Sequence, residues 1–451
     1  MSSSALEPIR DAVERQPLVD THEHFYAESF QNAQRLDLFS SWLVHYASAD
    51  LVSAGMPLST LVELRDSSRP LDERWANFAP YWEHSRTTGY GRALLIAARD
   101  LYGVEDINER SWLGLSEAIT ASNRPGWYRQ VLRERAGIEV SILDVRREGT
   151  NAEPTFQDVL AGDVDDDLFV RAVRFTHFIT PSSRRDLRDL ERATSRSIHS
   201  VDDLVRALEV AVDKVMERGQ MVAMKNALAY NRTLVWEKAT HHDAEVAFGK
   251  VTSYLDEVTE RKHPTVIGAS WVELKPLQDY MMHQTIRLAI EHGVPMQIHT
   301  GLQEGNGNVL ANARPTGLTN LFLEYPEARF DLFHAGYPYS GEVAALAKNF
   351  SNVYADLCWV HIISPTVGQR VLREWIETIP GNKIFAFGGD YRFVEGAYAH
   401  ARMARACVTR VLTEAVDDGY LDLDEALALA RKLLHDNAAE FFRIDQIRTG
   451  A

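Results

Sequence analysis

The sequence predicts an α/β protein built as a (β/α)8 barrel with a helical insertion after the first strand. Three observations predict it. Short apolar runs alternate with helical patterns along most of the chain, the mark of parallel α/β architecture. Polar residues with catalytic chemistry stand directly after several of those runs, at the strand ends where such barrels carry their sites. One stretch, Phe25 to about Arg135, breaks the alternation. All 451 residues are read as this single barrel, 1–451, with its insertion at 25–135.

The elements follow in order. Pro17-Leu18-Val19 opens the first strand and leads into Asp20-Thr21-His22-Glu23-His24. The insertion comes next. It is helical in pattern and rich in aromatics, with Trp42, Tyr46, Trp75, Tyr81, Trp82, Trp112 and Trp127. It is too long for an ordinary βα loop and too apolar for disorder. It leaves from the C-terminal face of the barrel, so it is expected to roof the site. Gly137–Leu143 and Leu168–Val173 are the second and third strands. Met221–Met224 leads into Lys225, Val294–Ile298 into His299, and Phe330–Phe333 into His334. Val353–Leu357 and Ile384–Phe387 complete eight.

Between them, Val201 to Arg218 carries Leu204, Val205, Leu208, Val212 and Val215 on one stripe, with Gly219 as a stop. Leu277–His292, closed by Gly293, and Gly341–Asn349 are similar, and Leu423–Phe442 reads as an amphipathic closing helix. The acidic run Asp163–Asp167 reads as a solvated loop. Gly305-Asn306-Gly307-Asn308 lacks the Lys-Ser/Thr of a phosphate loop and reads as a flexible turn.

Composition narrows the function. Apolar residues are 45% and charged residues 25%, as in ordinary globular proteins. A formal charge of −16 disfavours nucleic acid and anionic membranes as partners; the expected partner is a small-molecule substrate, with a homo-oligomer open. Two cysteines, Cys358 and Cys407, provide neither a disulfide framework nor a thiolate metal site. Residues 1–16 lack the apolar core of a signal peptide, and no apolar run approaches the ~20 residues that span a bilayer. The expected location is the cytoplasm.

The chemistry is concentrated at strand ends. Side chains at i and i+2 on a strand share a face, so His22 and His24 can chelate one ion, and imidazole is the commonest ligand for zinc-like metals. Alone, a His-x-His arises by chance on surface strands. His299, in Ile298-His299-Thr300-Gly301, is either a site lip or a satisfied core histidine, and His334, in Phe333-His334-Ala335-Gly336, repeats the pattern. Asp390 follows Gly388-Gly389, whose glycines permit close approach of backbone and ligand. On parallel strands of one barrel, these five groups face one mouth. Lys225 has three readings: a carbamate bridging two metals, a substrate contact, or a partner for a carboxylate. Asp356 and Trp359 close the seventh strand beside the pocket. His241, His242, His263, His283 and His292 fall on helical or loop patterns and read as fillers.

His22-x-His24, Lys225, His299, His334 and Asp390, in that order, resemble the amidohydrolase superfamily of metal-dependent (β/α)8 enzymes. Lys275-Pro276-Leu277-Gln278-Asp279-Tyr280, His334-Ala335-Gly336-Tyr337-Pro338 and Asp436-Asn437-Ala438-Ala439-Glu440-Phe441-Phe442 look like its amidohydrolase-2 group. The insertion, with Trp42-Leu43-Val44-His45-Tyr46, and Asp390-Tyr391-Arg392 resemble the uronate isomerases of the same superfamily; His334 departs from that branch. The resemblance implies a hydrolase with one divalent metal, zinc being the expected ion, or two if Lys225 is carbamylated. His22, His24, His299 and Asp390 would hold or abut it. Asp390 would shuttle protons, and His334 would polarise a carbonyl or orient water. Arg392 would grip a substrate carboxylate or pair with a lid acid, while Tyr46, Trp359 and Tyr337 would line the substrate site. The alternatives are aldose–ketose isomerisation of a sugar acid, metal-dependent decarboxylation, and a metal-binding barrel without catalysis.

Overall fold

The computed structural model of the chain describes residues 4–145, 156–162, 164–253 and 270–449. Asp163 and His263, both read from the sequence, lie outside the described residues. The eight strands are β1 Leu18–Glu23, β2 Ile138–Asp144, β3 Phe169–Arg174, β4 Met221–Asn226, β5 Met296–Ile298, β6 Phe330–Leu332, β7 Val353–Asp356 and β8 Ile384–Phe385. They form one parallel sheet in chain order. Residues after β8 bring the ring back to β1. Thr21 donates its amide to the Phe387 carbonyl at 3.2 Å, Asp390 to that of His22 at 2.8 Å, and His24 to that of Tyr391 at 2.9 Å. The result is a nearly closed (β/α)8 barrel with helices packed around it.

The strands are buried on both faces, which is why they read as continuous apolar runs instead of alternating ones. Inside the barrel, Val19, Val140, Ile142, Val170, Ala172, Val222 and Phe385 pack with Phe441 and Phe442 from the C-terminal segment. The Phe441 ring lies 4.3 Å from Tyr354 and 5.1 Å from Phe385. That segment plugs the N-terminal end of the strands, so the opposite end is free to carry a site.

The Val201–Arg218 helix has the bounds its periodicity predicts, capped by Ser200 at one end and by Gly219, at φ 83°, at the other. Two helices differ from expectation. The one expected to start at Leu277 starts at Trp271, because Ser270 and Glu273 form a capping box there. The closing helix is interrupted: Leu423–Arg431 and Asn437–Phe441 flank a π-helical turn, Lys432–Asp436.

Between β1 and β2 the chain is a layer of helices running from Glu28 to Ser122, followed by a π-helical turn at Arg129–Arg135. Its aromatics form its own core, with Trp75 and Trp112 stacked at 5.2 Å. Arg74 joins two of its helices by a buried fork to Asp37, at 2.6 and 2.9 Å. Trp42 stacks on Phe393 at 5.9 Å, which ties the layer to the segment after β8. No described helix is long and apolar enough to cross a membrane.

Candidate metal centre

The end of β1 supplies two imidazoles and the turn after β8 a carboxylate. The Nε2 atoms of His22 and His24 lie 3.2 Å apart, with their rings edge to face. Asp390 Oδ1 is 3.1 Å from His24 Nε2 and 3.9 Å from His22 Nε2. These three residues are the one group among the described residues whose ligand atoms converge as a metal site requires.

The turn that presents Asp390 is held from three sides. Asp20 Oδ1 accepts the Gly389 amide at 2.9 Å, Glu23 Oε2 accepts the Tyr391 amide at 2.6 Å, and His400 Nδ1 donates to the Gly389 carbonyl at 3.0 Å. A side chain at Gly388 would overlap Thr21 and Cys358, and one at Gly389 would overlap the Glu23 carboxyl. Asp390 itself sits at φ 54°, a region that disfavours residues with a Cβ. His45, His334, Ala335 and Trp359 share that left-handed backbone and gather around the same mouth.

Burial dominates the electrostatics. It pushes Glu23 well above the usual carboxyl range and Asp20 up to about 6. It also pushes His22 well below the ordinary imidazole value, assisted by the Lys225 ammonium. His22 is therefore neutral and able to offer a lone pair. Lys225 lies within β4, with Nζ 3.4 Å from His22 Nε2 and 3.6 Å over the Phe333 ring. Burial lowers it to about 8.

His299 and His334 form a second pair. His334 Nε2 is 3.0 Å from His299 Nδ1, while His299 Nε2 faces the Leu302 carbonyl at 3.1 Å. Burial and Lys225 push His299 down to about 3, and burial and His299 push His334 well below its ordinary value. Of the four metal-ligand candidates the structure thus brings three together, and it places His299 with His334 instead.

Trp359 donates its amide to the Gly388 carbonyl at 2.9 Å and packs on Tyr46 at 4.0 Å, His45 at 5.2 Å and His334 at 5.0 Å. Arg392 lies 3.7 Å from Glu304. Tyr337 enters through its backbone, its carbonyl accepting the Leu302 amide at 2.6 Å. Asp356 lies deeper in the barrel, where it accepts the Cys358 amide at 2.7 Å.

Two residues escaped the sequence reading. Asp144 Oδ2 is 3.8 Å from both His22 Nε2 and His24 Nδ1, and Arg174 holds it at 2.6 Å. They are the last residues of β2 and β3. Extending each of those strands by one residue would have found them.

A family model described as Amidohydrolase matches residues 218–444, just over half of the chain. Protein fluG of Emericella nidulans is 27% identical over 232 residues, which is 50% of this chain and 26% of that protein. The chain therefore spans about a quarter of the length of that relative. Among solved structures, a uronate isomerase from Thermotoga maritima superposes with a TM-score of 0.78 at 16% identity, covering 98% of both chains. Glucuronate isomerase from Caulobacter crescentus gives 0.74 at 19%, covering 98% of this chain and 94% of that one. A Lactobacillus casei protein provisionally described as a metal-dependent hydrolase gives 0.65 at 16%, covering 97% and 98%. At these identities the likeness is one of fold. The family match runs from before β4 to beyond β8, through Lys225, His299, His334 and Asp390, and the chain belongs to the amidohydrolase superfamily.

Proposed function

We propose that this chain is a metal-dependent hydrolase of a small, carboxylated substrate, cleaving an amide, ester or lactone bond. Members of the superfamily usually bind divalent metals. The donor set fits one: at Zn–N and Zn–O distances of about 2 Å, tetrahedral ligand atoms stand about 3.3 Å apart. The corresponding edges here are 3.1, 3.2 and 3.9 Å. His22, His24 and Asp390 would hold the ion, with the His299–His334 pair beside them. When bound, a divalent ion supplies Lewis-acid activation of water and of a carbonyl oxygen.

The side chains do the rest. Asp390 takes a proton from the attacking water as its oxygen bonds to the acyl carbon, then gives it to the departing nitrogen or oxygen as that bond breaks. His334 donates to the carbonyl or orients the water. Arg392 grips the substrate carboxylate, and Tyr46, Trp359 and Tyr337 wall the pocket under a roof formed by the insertion, 25–135. Lys225 remains an uncarbamylated ammonium in contact with substrate, a state that its seat over Phe333 favours.

The observation that carries this reading is the His299–His334 pair at 3.0 Å beside the metal group, on adjacent strand ends. One feature favours a second reading, isomerisation of a sugar acid. Arg392, two residues after Asp390, stands at the same mouth as Tyr46, as Asp390-Tyr391-Arg392 would in a uronate isomerase. There Asp390 would carry a proton between neighbouring carbons.

The test is turnover by the zinc-loaded chain on two panels: carboxylated esters, lactones and amides, followed by acid release, and hexuronates, followed by ketose formation. Acid release without ketose formation is expected. Ketose formation alone would replace the hydrolase reading by the isomerase.

A further inference from the structure

Two guanidinium groups stand in the field of one internal carboxylate beside the metal group. Arg392 Nη2 is 3.7 Å from Glu304 Oε2, within ion-pair range but longer than a hydrogen bond. Arg392 Nε is buried without a hydrogen-bond partner. A charged donor left so is costly, and it is ready for a better acceptor. Arg65 ends the Leu58–Arg65 helix of the insertion, and its Nε is spent on the Leu43 carbonyl at 2.6 Å. Burial and the charge of Arg392 push Arg65 down, while Glu304 pushes it up. Two positive charges thus meet one negative.

Glu304 is anchored by its backbone and loose at its side chain. Its amide donates to Tyr230 Oη at 2.8 Å, and its carbonyl accepts from Asn308 Nδ2 at 2.8 Å. Asn306 Nδ2 adds a tie to the Ala49 carbonyl at 3.2 Å. The side chain is 29% exposed. The carboxylate can therefore swing to solvent without moving the loop. The buried Tyr46 phenol feels the charges of both Asp390 and Glu304.

We propose that Arg392, with Arg65 adding to its positive field, forms a subsite for a substrate carboxylate, and that Glu304 occupies this subsite until such a carboxylate displaces it. The proposal rests on the reading of a carboxylated substrate given above and adds how that group is selected. A substrate carboxylate free to approach can accept from the unpartnered Nε edge of Arg392, which Glu304 at 3.7 Å does not. A neutral group cannot replace the charge Glu304 withdraws. Glu304 thereby sets a threshold that only an anion crosses, and specificity arises as a difference between two occupants.

The experiment uses the full, metal-loaded chain in a chloride-poor buffer without phosphate or citrate. Binding of propionate and of its neutral isostere propionamide is measured by calorimetry for the wild type, Glu304→Gln, Arg392→Lys and Arg65→Met. Glu304→Gln is nearly isosteric on a partly exposed side chain, and its melting temperature checks the fold. Glu304→Gln is expected to tighten propionate by about tenfold and to leave propionamide unchanged. Arg392→Lys and Arg65→Met are each expected to weaken propionate by at least fivefold. Unchanged or weaker propionate binding in Glu304→Gln would overturn the proposal, as would equal tightening of propionamide. Propionate binding is read without turnover, so this result stands or falls separately from the hydrolysis panels.

Discussion

The amide of Asp390 donates to the carbonyl of His22 at 2.8 Å. The hydrogen bond that helps bring the end of β8 to β1 is therefore also the bond that sets a carboxylate beside an imidazole. Closure of the barrel and assembly of the candidate metal centre are one structural event. Whatever loosens the turn at 388–391 disturbs both.

Gly389 tests that link. A Cβ there meets the Glu23 carboxyl, which cannot retreat because it is fully buried and holds the Tyr391 amide at 2.6 Å. Gly389→Ala is expected to lower stability by about 3 kcal/mol, as overpacking does, and to weaken metal retention. Thermal unfolding and metal titration of the variant check this. A variant with wild-type stability and metal affinity would show that the turn is not held as described.

His334 bears on the chemistry. If it contacts the reacting carbonyl or water, His334→Asn should lower turnover by about 10²- to 10⁴-fold while metal content stays near the wild type. Steady-state kinetics on the best ester or lactone gives the first quantity and elemental analysis the second. An unchanged rate would remove His334 from the mechanism.

His361 gives a pH prediction away from the site. It donates Nε2–H to the Ala386 carbonyl at 2.9 Å, and Nδ1 is buried without a partner. Burial pushes it from 6.5 down to about 4. As pH falls, the unfolded chain takes up this proton first. The stability due to His361 is therefore complete above pH 6.5 and is lost on the way down to about 4. At 1.36 kcal/mol per unit, the loss is about 3 kcal/mol. The stability advantage of the wild type over His361→Gln should shrink by that order between pH 7 and pH 4. Denaturant titration at both pH values measures it, and a constant difference would contradict the burial account.

Much of the candidate site was legible because barrel strands end where polar residues begin. His22, His24, His299, His334 and Asp390 all follow from that rule, and all eight strands were found from apolar runs. Asp144 and Arg174 obey the same rule but were missed, because β2 and β3 each run one residue further than their apolar stretch. Other features have no local signature. Glu23 reads as a spacer between two histidines, yet it grips the turn that carries Asp390 across the closed ring. The pairing of His299 with His334, and not with the metal group, depends on side-chain directions at adjacent strand ends. Arg65 and Glu304 are separated by most of the chain, and only the packing of the insertion against the loop after β5 puts them in each other's field.

The central claim is that His22, His24 and Asp390 hold one divalent ion. Elemental analysis after zinc reconstitution and gel filtration, on the wild type and His24→Ala, tests it most directly. About one metal per wild-type chain and a large loss in His24→Ala are expected. A wild type that binds no transition metal, or a His24→Ala variant that retains it fully, would contradict the claim.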